Sequence, residues 1–460
     1  MVGGPDQAQG GRSRLQRRVR EHMGATVQLA APVVVARAGL LTIVVADTIM
    51  TGHAGAAELA ALGLGYSVQG ALMLLGIGML QGTAVLVSQA DGAREPHLCG
   101  GIWRVGLLHA VVLGLLFGGL CLAGEAFFRA IGQNPDLARG GGAVMRMFSW
   151  GMPPILIYVA TTAFLEGVQR PRPGMIVMLG ANLLNIGLNW IFIYGHAGAP
   201  AMGAVGAVLA TGIVRWGAAA ALVGYALWMP EAGHFGVRAA IPDPAALARR
   251  LRQIGYPIGL AQGLETTAFM TVAMFAGYLG TTALAGYQIA INLVSLIFMC
   301  AIGIATATSV RVGNAVGMKD QPGIGLAGWS GLALVVAITG SLALLLAAMP
   351  AAIAGLYAGD PAVIAAAAAA LAMAALFLVF DGGQAVLMGA LRGTGDVRVP
   401  LLVQGIAFWG LAIPFSWLFA VTWSMGPAGL MAGLFVGVVV SAVTLTARFA
   451  WIARGAIGRI

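Results

Sequence analysis

The sequence predicts an all-α integral membrane protein with about twelve transmembrane helices, and three observations predict it. Hydrophobic residues make up 59% of the chain and charged residues 9%, where a soluble domain is roughly a quarter charged; mean hydropathy is +0.90. Apolar runs longer than about 18 residues recur along the chain, and a helix needs about 20 residues to cross the hydrocarbon core. The runs are continuous rather than alternating in polarity, which points away from a barrel, the other structure that satisfies its backbone in lipid.

In order, the first span covers residues 24–50 and follows a basic segment, 1–23, that holds Arg12, Arg14, Arg17, Arg18 and Arg20. That leader resembles the n-region of a signal peptide, but the apolar run behind it is too long for an h-region and reads as an uncleaved span. Spans at 59–90 and 98–123 flank Arg94, those at 138–164 and 174–195 flank Arg170 and Arg172, and one at 203–229 closes the first half. A polar linker, 230–246, carries Glu231, His234, Arg238 and Asp243. Spans at 247–279 and 283–316 lead to Lys319, and another follows at 323–348. Those at 357–391 and 396–423 flank Arg392, with Arg398 at the start of the second, and 427–453 precedes a tail, 454–460.

Net charge of +9 would suggest nucleic acid for a soluble protein; here the placement of the charges matters more. Arg129, Arg139 and Arg146 fall on the opposite side, and Arg37 and Arg215 lie well within spans; the other basic residues gather at the termini and in or beside even-numbered loops. Positive-inside asymmetry then places both termini in the cytoplasm. Cys99, Cys121 and Cys300 have neither metal-ligand nor redox spacing.

The chain resembles itself at a shift of 225: Pro32 with Pro257, Leu59 with Leu284, Gly78 with Gly303, Thr83 with Thr308, Gly92 with Gly317. A shift of 226 pairs Leu165 with Leu391, Gly167 with Gly393 and Arg172 with Arg398. The order of motifs implies duplication into two parallel six-span halves, 24–229 and 247–453, a common plan for secondary transporters. The linker reads either as a tether between rigid bundles or as a plain surface loop.

Asp47, Glu265 and Asp381 lie inside apolar stretches, where an ionised carboxylate costs about 2.5–3.5 kcal/mol or more, so they are the leading functional candidates. Their repeat counterparts are Val272, Leu40 and Ile155, so the acids do not share the symmetry of the scaffold. A carboxylate withdrawn from water can hold a proton, release it and attract a cation, which couples two movements by mutual exclusion. Neutralisation by a neighbouring Arg or a helix terminus is the structural alternative. Asn185 and Asn189 are four apart and share a helix face, suited to cation ligation or to interhelical hydrogen bonding. Gln288, Asn292 and Thr308 carry the same two readings. Arg37 either snorkels to the cytoplasmic interface or pairs with Glu265. Pro32, Pro153, Pro154, Pro257 and Pro414 are kink and hinge candidates. No P-loop, HExxH or Cys/His cluster is present, which argues against an enzyme and leaves an ion gradient as the energy source.

LAAPVVV with DTIMTG in the first span, GYPIGLAQGLETTAF in the seventh, ALAGYQIAINLVSLIFM with SVRVGNAVG in the eighth, and FDGGQAVLMGALRGTGDVRVP in the tenth together resemble the multidrug and toxic compound extrusion (MATE) transporters, closest to the NorM branch. The resemblance implies two six-helix lobes related by pseudo-twofold symmetry, V-shaped around a central cavity. It implies export of cationic amphipathic molecules in exchange for H+ or Na+, in a bacterial inner membrane. By that resemblance Asp47, Asn185 and Asn189 match the amino-lobe coupling site, and Glu265 with Asp381 the carboxy-lobe acidic pair that would hold Na+. Pro32, Arg37, Pro257, Tyr287 and Gln288 are tuning or gating candidates; Arg37 departs from the family pattern. The expected partners are the cargo and membrane lipid, without nucleic acid or cofactor beyond the coupling ion, and the expected state is a monomer. A flippase for lipid-linked saccharides, or an exporter of an endogenous metabolite, is the runner-up; a cationic flippase cavity fits poorly with two intraspan Arg against three acids.

Overall fold

The computed structural model describes the backbone from Pro5 to Gly455 and side chains from Met23 onward. The basic side chains of the leader, and Arg459 in the tail, lie outside the described residues. Among the described residues there are twelve long helices and no strand: α1 Pro5–Ala54, α2 Ala56–Gly92, α3 Pro96–Leu122, α4 Pro135–Gly167, α5 Arg172–Tyr194, α6 Gly203–Trp228, α7 Pro244–Tyr278, α8 Thr281–Gly317, α9 Gln321–Ala348, α10 Pro361–Thr394, α11 Arg398–Thr422 and α12 Gly426–Arg454. Eleven are long and apolar enough to cross a membrane. The exception is α7, whose apolar part is interrupted by Gln262, Glu265, Thr266, Thr267 and Thr271.

Local chemistry sets the helix ends. The side chains of Asn134, Asp320 and Asp360 accept backbone N–H bonds from Asp136, Gly323 and Ala362 at 2.9, 3.1 and 2.8 Å, satisfying donors that the first turn leaves unpaired. Left-handed glycines end α5 and α10, at Gly195 (φ 78) and Gly395 (φ 85). Around Pro414, α11 passes through two π-helical stretches, Gly405–Ala412 and Leu418–Thr422, as expected where a residue cannot donate to the helix ladder. Leu115, Leu183, Leu344 and Leu402 stand exposed on their helices, as a lipid-facing surface requires.

The duplication is visible in the backbone. Positive φ recurs at Gly55 and Gly280, Arg94 and Lys319, Gln169 and Gly395, Gly198 and Ser424, each pair separated by 225 or 226 residues. Close packing recurs too: Gly106 lies against Thr83 as Gly331 lies against Thr308, and Gly167 against Val87 as Gly393 lies against Val312.

The helices form two compact units, residues 35–263 and residues 264–460 with 1–34. The divisions fall inside α1 and α7, shortly after the matched prolines, and not in the linker. In the first unit Gly78 packs against Gly259 of α7; in the second its counterpart Gly303 packs against Val34 of α1. Each unit is thus completed by the amino-terminal part of the opening helix of the other repeat.

The linker is folded onto the first unit. Gly100 donates a backbone bond to Phe235 (2.8 Å), Arg104 donates to the Ala239 carbonyl, and the Phe235 ring meets Phe164 edge-on at 6.2 Å. Gly236 (φ 61) lies so close to the His97 carbonyl that no Cβ fits. Arg170 pairs with Glu231 at 2.7 Å, and this hydrogen bond holds the Glu231 carboxyl below its ordinary range. A plain tether makes no such contacts. In the second unit the core runs through Tyr287, Leu371, Phe377, Phe408 and Leu434, with Ala30 of α1 packed beside Ala301 and Ile304.

Candidate functional site

Asp47 is fully buried on α1, and three helices converge on it. Tyr66 of α2 donates to its Oδ2 at 2.6 Å, Thr211 of α6 to the same oxygen at 2.7 Å, and Asn189 of α5 to Oδ1 at 2.7 Å. Behind these, Asn185 Nδ2 donates to Thr211 Oγ1 (2.9 Å), and Asn185 Oδ1 accepts from Asn189 (3.2 Å). Tyr194 at the end of α5 donates to the Met50 carbonyl at 2.8 Å, fastening that helix to α1. The expected triad of Asp47, Asn185 and Asn189 is therefore brought together. Tyr66 and Thr211 complete it and were missed; their signal was a polar group in an otherwise apolar run.

Every contact to Asp47 is a neutral donor. Three of roughly four carboxylate lone-pair positions are occupied, leaving one on Oδ1, and the Asn189 Oδ1 beside it has no partner. The arrangement is a buried carboxyl group met by neutral donors, without a cationic side chain in contact.

Arg37 lies 11% exposed within the first unit, with Nη2 4.0 Å from Glu166 Oε1, so it is buried beside an acid there rather than snorkelling. Glu166 was overlooked because α4 was expected to end at residue 164; it continues to Gly167 and carries the acid into the buried layer.

In the second unit Asp381 is buried and Glu265 half-buried, and the two carboxylates interact electrostatically. Gln404 Nε2 donates to Glu265 Oε2 at 3.3 Å, and Ser441 Oγ donates to Gln404 Oε1 at 2.9 Å. Arg392 also acts on Glu265 through its charge. Asp381 Oδ1 and Gln384 Oε1, one turn apart on α10, are buried without partners. The two acids and the unpartnered Gln384 oxygen are hard donors of the kind a cation takes, whereas the Gln404 oxygen is committed to Ser441. Gln404 and Ser441 were not anticipated, since a Gln and a Ser on separate helices share no sequence pattern.

The gating candidates fare differently. Tyr287 is buried in the apolar core with its hydroxyl unpartnered, while Gln288 is exposed. Asn292 accepts a long 3.5 Å bond from Tyr357, and Thr308 is packed beneath Gly331. Among the described residues no group of three His, Cys, Asp or Glu is placed to hold a metal ion.

A family profile described as MatE matches residues 32–191 and 257–418, once in each repeat. The chain belongs to the MatE family. It is similar to the probable multidrug resistance protein NorM of Caulobacter vibrioides, 35% identical over 92% of this chain and 90% of that one. It is also similar to the multidrug resistance protein PmpM of Pseudomonas aeruginosa, 34% identical over 95% and 93%. Among solved structures, the eukaryotic MATE transporter AtDTX14 superposes with a TM-score of 0.87 at 18% identity, covering 95% of this chain and 98% of that one; this likeness speaks for the fold. The MatE assignment confirms the resemblance carried by the motifs and the all-helical membrane architecture.

Proposed function

We propose that this MatE protein is a secondary active multidrug antiporter that exports lipophilic organic cations in exchange for H+ or Na+ by alternating access. It would act as a monomer in a bacterial inner membrane with both termini cytoplasmic. The observation that carries the reading is Asp47: a buried carboxylate at bilayer depth, oriented by Tyr66, Asn189 and Thr211 and not neutralised by a contacting cation. Such a charge is too costly to keep for packing. The names of the NorM and PmpM relatives, multidrug resistance proteins, support a drug-exporting role.

Antiport follows from mutual exclusion. A proton or Na+ entering from outside removes the charge that attracts a cationic cargo, and cargo entering from inside displaces the ion. Each ligand must favour a different conformation to drive the cycle. Glu265 and Asp381, with the Gln384 amide oxygen, would form a second cation-binding set, and Gln404 would orient Glu265.

Ethidium movement in proteoliposomes, compared under a Na+ gradient at equal pH and under a pH gradient without Na+, tests this. Response to one gradient names the ion, and Asp47→Asn abolishes it. Movement under neither gradient by folded protein refutes antiport.

A further inference from the structure

The linker folds back over the end of α6 and leaves a cavity of about 370 Å³ in which the transport reading has no part. Leu227, Trp228 and Met229 line it from the helix, and Gly233 and Arg238 from the linker. Its one cation is Arg238, whose Nη2 donates to the Leu227 carbonyl at 3.1 Å and so fixes the guanidinium over the helix end. Neither acid of the linker pairs with it among the described residues: Glu231 meets Arg170 at 2.7 Å, and Asp243 accepts from the Ala246 N–H at 2.9 Å. The backbone N–H groups of Gly233 and Arg238 donate no bond among the described residues. The carbonyl end of α6 carries only about half a negative charge, so the cavity stays net positive. A guanidinium without an acidic partner, beside free backbone donors, is the chemistry that holds a phosphate.

Alongside that cavity runs a seat for an acyl chain. Gly217, Ala220, Ala221 and Gly224 follow at helical spacing on one face of α6, and the first three are exposed. Nothing lies within 4 Å of where a Cβ would stand on Gly217, whereas on Gly224 it would come 3.2 Å from the Trp228 ring. The stripe is a shallow furrow that begins in mid-span and ends under Trp228, which also lines the cavity. From Gly217 to Trp228 it runs about 16 Å at the helical rise per residue. Small residues in a span commonly admit a neighbouring helix; this stripe stands open instead. Trp228 is 77% exposed, and Tyr225, one turn before it, is exposed as well. Aromatic side chains at the end of a span mark the depth of the phospholipid headgroups.

We infer that the end of α6 and the linker form a binding site for one anionic phospholipid, its phosphate on Arg238 and one acyl chain along the furrow. The headgroup is net negative because the lining holds a cation and no acid that would receive an amine; basic pockets at the ends of spans take anionic headgroups for the same reason. The site goes beyond the transport reading and stands whether or not the protein is an antiporter.

Native mass spectrometry of the full-length protein, titrated in detergent with phosphatidylglycerol or with phosphatidylcholine of the same chains, tests the site. One phosphatidylglycerol binds about tenfold more tightly than the next, and than any phosphatidylcholine. Arg238→Gln weakens that first lipid about tenfold, the worth of one charge-assisted contact, whereas Arg454→Gln at the end of α12 leaves it unchanged. Inorganic phosphate at millimolar concentration does not displace it, since phosphate alone gains nothing from the furrow. Should Arg238→Gln not fold, Ala221→Phe fills the furrow without touching the linker and weakens the same lipid severalfold. Equal binding of the two lipids, displacement by inorganic phosphate, or wild-type affinity in either the Arg238 or the Ala221 variant overturns the site.

Discussion

Removing one donor from Asp47 is a different experiment from removing its charge. Thr211→Val keeps the shape of the side chain but leaves Oδ2 one donor short and Asn185 Nδ2 without its acceptor. A buried polar group left unsatisfied costs about 1–3 kcal/mol. The expected result is a lower melting temperature and weaker ethidium efflux that still responds to the gradient, whereas Asp47→Asn folds and shows no response. Tyr66→Phe behaves like the Thr211 variant. If either donor variant loses coupling as completely as Asp47→Asn, that donor takes part in ion binding itself. Arg37 and Glu166 make a second residue-scale case. Glu166→Gln strands a guanidinium in a buried layer, a loss of about 3–5 kcal/mol when a buried pair is broken on one side. Replacing both, Arg37→Gln with Glu166→Gln, removes the stranded charge. Thermal unfolding of the double variant should therefore lie above that of the Glu166 single variant, and an equal or lower value would show that the pair does not hold the helices together.

Helices were legible in the sequence because apolar length marks most spans, and twelve expected elements correspond to twelve long helices with ends displaced by a few residues, except that α1 begins at Pro5 and not at residue 24. What that signal does not carry is which side chains meet. Asn185 and Asn189 share a face by helical spacing alone, so their meeting could be read; Tyr66, Thr211 and Gln404 reach their acids, and Ser441 reaches Gln404, from other helices, and only packing brings them there. Glu166 illustrates a smaller error with a larger effect, since misplacing the end of α4 by three residues turned a buried acid into a loop acid. The repeat supplies a test between elements. Gly106 on α3 faces Thr83, and Gly331 on α9 faces Thr308, with no room for a Cβ in either pair. Gly106→Ala and Gly331→Ala should each destabilise the protein, by about 1–3 kcal/mol for overpacking. Thr308→Ala should recover part of the loss in the Gly331 variant. Measured unfolding midpoints that show no rescue would mean that the α8–α9 contact is not what the glycine protects.

At the scale of the whole molecule, the exchange of opening helices has a consequence for how the chain can be cut. The sequence divides naturally at its polar linker, and a protein built of two self-contained halves would fall into two stable pieces there. Instead residues 35–263 form one unit and 264–460 with 1–34 the other, so a break at residue 238 leaves each unit with parts from both fragments. Gly255 and Gly259 of α7 lie against the Met79 backbone and side chain in the first unit. In the second, Ala30 and Val34 of α1 lie against Ala301 and Gly303, and Arg311 donates to Thr26. Fragments 1–238 and 239–460 expressed together should therefore co-purify through a tag on either one and, inserted in a membrane, retain gradient-driven efflux. Expressed singly, each lacks the helix segment that fills the small-residue groove of its unit, leaving voids where burial is worth about 25 cal/mol per Å², and should be degraded or aggregate. Co-purification is the deciding measurement: fragments that separate cleanly in mild detergent, each remaining folded, would show that the exchanged segments do not bind the units they complete.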